Sequence, residues 1–226
     1  MKLSHNTLDA PISFEDGIIN ILVVENAGQM SRYISDLKLQ IDGFDGEFVL
    51  SESGIPVPIC GAVDLVLDPF TLNPNSREII NLIHGIISKK SKDENHYIES
   101  NGLLASVECY ISDLMAEQDD LLKVTEEINI SNILKLLGVK FVISGESLLE
   151  SICDYLAVIV KYSKIKLFVF VNIRSYLNSE DISMLYDQIS YHKQNVLFIE
   201  RCESSKFEKE RITIVDEDLC EIRKFG

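Results

Sequence analysis

KLFVFVNIRSYLNSEDISMLYDQISYHKQNVLFIE, residues 166–200, decides the fold. It opens on the β-prone run KLFVFV (166–171) and closes on a second, NVLFIE (195–200). Apolar runs without polar alternation suit strands buried on both faces. Between them the apolar residues recur at helical spacing near 180–192, with Asn178 or Ser179 placed as N-cap. Strand, helix, strand in this order makes a parallel β-α-β unit, whose helices cover the sheet.

The same alternation continues outward. Upstream, VKFVI (139–143) reads as a strand, followed by a helix over 147–162 with Leu148, Leu149, Ile152, Tyr155, Leu156 and Ile159 on its apolar face. Near the start, IINILVV (18–24) is another fully apolar strand. After Glu25–Gly28 a helical pattern runs through Met30, Tyr33, Ile34, Leu37 and Ile41. Gly43 is placed as its C-cap, and GEFVL (46–50) returns to β character. RITIVDEDLCEIR (211–223) reads as a closing hairpin at one end or edge.

The middle breaks the alternation. From about 75 to 137 only helices are expected. One starts at Asn75 or Ser76, carries Ile79, Ile80, Leu82, Ile83, Ile86 and Ile87, and ends in Lys89, Lys90 and Lys92, charges that suit a helix C-terminus. A long one follows over roughly 97–123, then SNILKLLG (131–138), stopped by Gly138. The expected architecture is therefore α/β: a discontinuous domain over 1–61 and 139–226 with a mostly parallel sheet, interrupted by an all-helical domain over 62–138.

Composition narrows the class. The 226 residues are 46% hydrophobic and 25% charged, as in an ordinary globular protein. A net charge of −15, from 36 acids against 21 bases, argues on its own against a simple basic nucleic-acid binder. Five scattered cysteines without a C-x-x-C pair suggest reduced thiols, with Cys109 and Cys153 expected to be partly buried. The N-terminus lacks the pattern of a signal peptide, and the longest apolar run is too short to span a bilayer, so a cytoplasmic protein is expected.

Catalytic signals are weak. A phosphate-cradling loop after the first apolar strand would need several glycines and usually a lysine; only Gly28 is present there. Asn172 ends LFVFVN where an aspartate would hold magnesium. His84 lies in an apolar helical pattern and reads as a packed residue, and no G-x-S-x-G or H-E-x-x-H pattern occurs. The chain is expected not to be an enzyme.

Charge is most concentrated between Glu108 and Glu127. Seven carboxylates (Glu108, Asp113, Glu117, Asp119, Asp120, Glu126, Glu127) face one base, Lys123, while Val107, Ile111, Leu114, Met115, Leu121 and Leu122 recur at helical spacing. The plain reading is a solvated polar face. The alternative is a cation site, since calcium takes six to eight oxygen ligands. Lys89, Lys90 and Lys92, with Lys135 and Lys140 at the return to the α/β domain, read either as helix-end lysines or as a track for a phosphate backbone.

Four stretches taken together, ILVVEN (21–26), SNILKLLGVKF (131–141), LFVFVNIRSYL (167–177) and NVLFIE (195–200), resemble the CRISPR-associated Csn-two family, accessory proteins of type II-A CRISPR systems. The resemblance runs over nearly the whole length. It implies a P-loop-like α/β head without a functional phosphate loop, an inserted helical leg, and assembly as a homotetrameric ring. It further implies Ca2+ binding near the leg–head junction and sequence-independent encircling of double-stranded DNA loaded at its ends. Such proteins support acquisition of new spacers beside integrase proteins and an RNA-guided nuclease. By the same resemblance the calcium ligands are expected among Glu117, Asp119, Asp120, Glu126 and Glu127. The DNA-facing lysines are expected at Lys135 and Lys140, with Lys123, Lys89, Lys90 and Lys92 as further candidates. The alternatives are a degenerate, kinase-like nucleotide-binding α/β protein and an acidic interaction scaffold that does not bind DNA.

Overall fold

Every strand and helix of the 166–200 stretch forms in the computed structural model, which describes residues 1–118, 122–124, 127–143, 145–204 and 207–225. The chain divides into two units, Met1–Asn73 with Ser144–Gly226, and Pro74–Ile143.

In the first unit the order begins with β1 (Lys2–His5), β2 (Ile12–Ser13), β3 (Ile19–Val24), α1 (Ala27–Ile41), β4 (Phe48–Glu52), β5 (Ile55–Val57) and β6 (Val63–Val66). The second unit holds α2 (Arg77–Lys90), α3 (Tyr97–Ala116) and α4 (Ile130–Leu136). The chain then returns to the first unit through α5 (Leu148–Tyr162), β7 (Leu167–Val171), α6 (Ser179–Tyr191), β8 (Val196–Glu200), β9 (Glu210–Val215) and β10 (Glu221–Phe225).

The main sheet has the order β10-β9-β3-β8-β7-β6. All its pairings are parallel except β9 with β10, which form the expected hairpin at an edge. The fold is thus mixed α/β with a mostly parallel sheet. β3, β7 and β8 are buried at every position, which is why their sequences carry no polar alternation. Leu22, Val24, Val169, Val171, Leu197 and Ile199 pack with Met30, Tyr33 and Leu37 of α1 and with Leu3, Phe48 and Leu50 of the small sheet. On the other face Tyr186 of α6 meets Phe198, which stacks on Phe170.

Three expectations are corrected. GEFVL does not return to the main sheet: β4 joins a separate antiparallel sheet, β2-β1-β4-β5, with Leu50 opposite Leu3. Its alternation of buried Phe48 and Leu50 with exposed Val49 suits a one-sided sheet, not a doubly covered one. The helical insertion begins at residue 74 and not at 62, because β6 pairs with β7 and so belongs to the main sheet. VKFVI (139–143) is not a strand and lies in the helical unit, for reasons its bonds make clear below. Among the described residues no helix is long and apolar enough to cross a membrane.

Candidate functional site

In the helical unit, the Ser76 hydroxyl caps α2 by accepting from Ile79 N (3.4 Å). Ile79, Ile83 and His84 are its buried residues. Lys89 and Lys90 close its last turn and Lys92 follows, all three exposed. Asn129 caps α4 by accepting from Asn132 N (2.9 Å), and Lys135 stands in the last turn. The chain then turns at Gly138, whose φ of 63° belongs to the left-handed region.

The following strap lies along α2. The Val139 carbonyl meets His84 Nε2 at 3.3 Å. Phe141 is held twice by Asn75, donating its N–H to Oδ1 (2.8 Å) and accepting from Nδ2 (3.0 Å) at its carbonyl. Side chains of the α2 segment thus take backbone groups that a strand would give to a neighbour, and VKFVI stays out of the sheet. Lys140 is exposed between these anchors. Contacts at His84 and Asn75 order Lys140 toward the start of α2, while Lys89, Lys90 and Lys92 stand at its other end. The lysines are therefore spread along about 20 Å of helix and do not form one cluster. Lys123 is also exposed.

The acidic segment is described in part. α3 ends at Ala116, earlier than the expected 123, and Glu117 is its C-cap, donating N–H to the Asp113 carbonyl (3.3 Å). Glu127 is exposed, and its carbonyl accepts from Asn132 Nδ2 (3.4 Å). Asp119, Asp120 and Glu126 lie outside the described residues. Among the described residues no group of three or more His, Cys, Asp or Glu side chains is placed to hold a metal. The five expected ligands form an all-carboxylate donor set, the chemistry calcium takes, whereas zinc would call for nitrogen or sulfur. α3 itself buries no residue: Tyr97, Ile98, Leu103, Tyr110, Ile111 and Leu114 are exposed.

In the α/β unit, the N-terminus of α1 occupies the place of a phosphate loop. There the Asn26 side chain accepts from Gln29 N (3.0 Å) and its carbonyl from Met30 N (3.0 Å). The Gln29 N–H, one of the first-turn donors that would face a phosphate, is thereby satisfied within the chain, in keeping with the missing glycines. Asn172, at the end of β7, has left-handed backbone (φ 54°).

Sequence reasoning missed a buried ionic network beside it. Arg174 reaches the fully buried Glu210 carboxylate (3.3 Å), which also accepts from Tyr186 Oη (2.9 Å). Burial pushes the Tyr186 hydroxyl well above its usual range. Glu200 is buried at the end of β8, and burial raises its carboxyl to about 7 despite a bond from Arg174 N (3.2 Å). The available signal was an acid closing an otherwise apolar run, NVLFIE. His84 is buried, as its helical pattern implied, and His5 is buried too. His5 Nδ1 accepts from Thr7 N (3.2 Å), which leaves Nε2 toward Glu47 (3.4 Å) and Asp36 (3.7 Å). Burial lowers the pKa of this ring, partly offset by those two carboxylates. The thiols depart from expectation at Cys109, which is exposed on α3; Cys153 is half-buried, and burial raises it to about 11.

Residues 40–219 match the family model described as CRISPR-associated protein (Cas_Csn2). A CRISPR-associated protein Csn2 of Streptococcus agalactiae is 28% identical over 139 residues, covering 60% of this chain and 62% of that protein, less than two thirds of its length. One of Enterococcus faecalis is 24% identical over 205 residues, covering 89% of this chain and 90% of that protein. Among solved structures, a putative ABC transporter ATP-binding protein of Pyrococcus furiosus aligns over 94% of this chain and 97% of its own, at a TM-score of 0.41 and 10% identity. A bacterial Atm1-family ABC exporter with ATP bound aligns over 92% of this chain and 34% of its own, at 0.41 and 12%.

Proposed function

Because the chain belongs to the CRISPR-associated Csn2 family, we propose that it forms a calcium-stabilised homotetrameric ring that encircles linear double-stranded DNA without sequence specificity. In that reading it supports acquisition of new spacers in type II-A CRISPR immunity, beside integrase proteins and an RNA-guided nuclease, and acts by binding and not by catalysis. The family match over residues 40–219 carries the reading.

Physical features support it. Exposed Lys89, Lys90, Lys92, Lys135 and Lys140 supply charges along the α2–α4 pair, suited to a phosphate backbone and to no particular base. The exposed apolar side chains of α3 supply a surface for self-association. Glu117, Asp119, Asp120, Glu126 and Glu127 would hold calcium, which would supply positive charge where like charges otherwise repel.

A mobility-shift assay on linear duplex, run with calcium and then with chelator, tests the reading. The expected result is a shift that depends on calcium and falls steeply with salt, equal for unrelated sequences. Equal affinity for closed circular duplex would overturn encirclement.

A further inference from the structure

The α/β unit carries a concentration of positive charge of its own, at the amino ends of its parallel strands. The α5–β7 connection brings Lys164 and Lys166, just after Lys161 in the last turn of α5. The α6–β8 connection brings Lys193. Strand pairing sets the two connections side by side: Phe168 N donates to the Asn195 carbonyl (3.0 Å), and Asn195 Nδ2 donates to the Lys166 carbonyl (3.0 Å). A cavity of about 200 Å3 opens between them, lined by Ile165, Lys166, His192 and Lys193 among others. All four lysines are exposed.

Helix C-termini attract lysines without any partner, which accounts for Lys161, Lys164 and Lys193. It does not account for Lys166, which lies beyond the end of α5 and directly before β7. Lys193 moreover has φ of 51°, just past the end of α6, a position where glycine is the usual residue. Left-handed backbone at a residue other than glycine is strained, and such strain clusters at functional sites. The ion pairs recorded in the patch, Lys166 with Glu52 and Lys193 with Asp16, are exposed on both sides and screened by water. Lysines act as point charges on flexible stems, which fits a repeating phosphate backbone better than one fixed anion. On a chain of net charge −15, a positive edge is the face by which a polyanion can approach.

We propose that this edge of the α/β unit is a second phosphate-backbone contact for duplex DNA, additional to the lysines of the helical unit. It rests on the DNA-binding reading above. The test compares wild type with Lys164→Ala/Lys166→Ala/Lys193→Gly and with a control of equal charge change, Lys2→Ala/Lys38→Ala/Lys224→Ala. Each is titrated onto linear duplex with calcium present, over a range of salt. Three lost phosphate contacts would lower the slope of log K against log salt by about 2–3 and the affinity by about tenfold or more, while the control keeps the wild-type slope. A patch variant with wild-type affinity and slope, against a wild type that does bind, overturns this surface alone. A wild type that leaves duplex unshifted overturns the DNA-binding reading and this surface with it.

Discussion

Glu200 is the side chain at which burial and charge conflict most. Its carboxyl holds a proton up to about 7 in the fold, against an ordinary value of 4.5. The folded state therefore binds more protons than the unfolded state between those values, so this group's contribution to stability falls as pH rises through the window. The shift corresponds to about 3 kcal/mol. Glu200→Gln keeps an acceptor for Arg174 N and removes the ionisation. Its stability relative to wild type should rise by about that amount between pH 4 and pH 8, followed by urea unfolding. A difference constant with pH would show that Glu200 titrates normally. Lys193 conflicts in another way, through its left-handed backbone. Lys193→Gly should stabilise the fold by about 0.5–1 kcal/mol in the same measurement. An acid at the end of NVLFIE was visible in the sequence, but its environment was not, since burial depends on α6 and the segments after β7 and β8.

Elements were legible where an apolar pattern was long, either continuous or at helical spacing. β3, β7 and β8, and helices α1, α2, α5 and α6, follow directly from it. VKFVI failed because a short apolar run is strand-like by composition alone, and side chains 66 and 55 residues away in sequence decide its partners. Asn75 is the stronger anchor. Asn75→Ala removes both bonds to Phe141 and should cost the helical unit about 1–2 kcal/mol, leaving a half-buried carbonyl and N–H less satisfied. Faster amide exchange at Phe141 with unchanged exchange in β7 and β8 is the expected signature. Uniform acceleration throughout would contradict a local role. α3 carries apolar residues at helical spacing and buries none of them, because an amphipathic pattern specifies a face and not what covers it.

At the scale of the whole molecule, the net charge of −15 conceals its distribution. Lysines stand along the α2–α4 pair and again at one edge of the main sheet, while acids concentrate from Glu108 to Glu127. If calcium is held by that acidic stretch, the melting temperature should rise with calcium concentration and fall back in EDTA, because a ligand that binds only the folded state stabilises it by mass action. Identical melting curves would leave those carboxylates as a solvated face. The sequence by itself determined the α/β class, the helical interruption and the family likeness, because all three rest on local apolar periodicity and on residues read in order. Tertiary structure decided where the interruption begins, which sheet β4 joins, which acids are buried and which distant lysines share an edge. The physical reason is that pairing and burial are set by partners far away in the chain, and periodicity carries no information about which partner a face will meet.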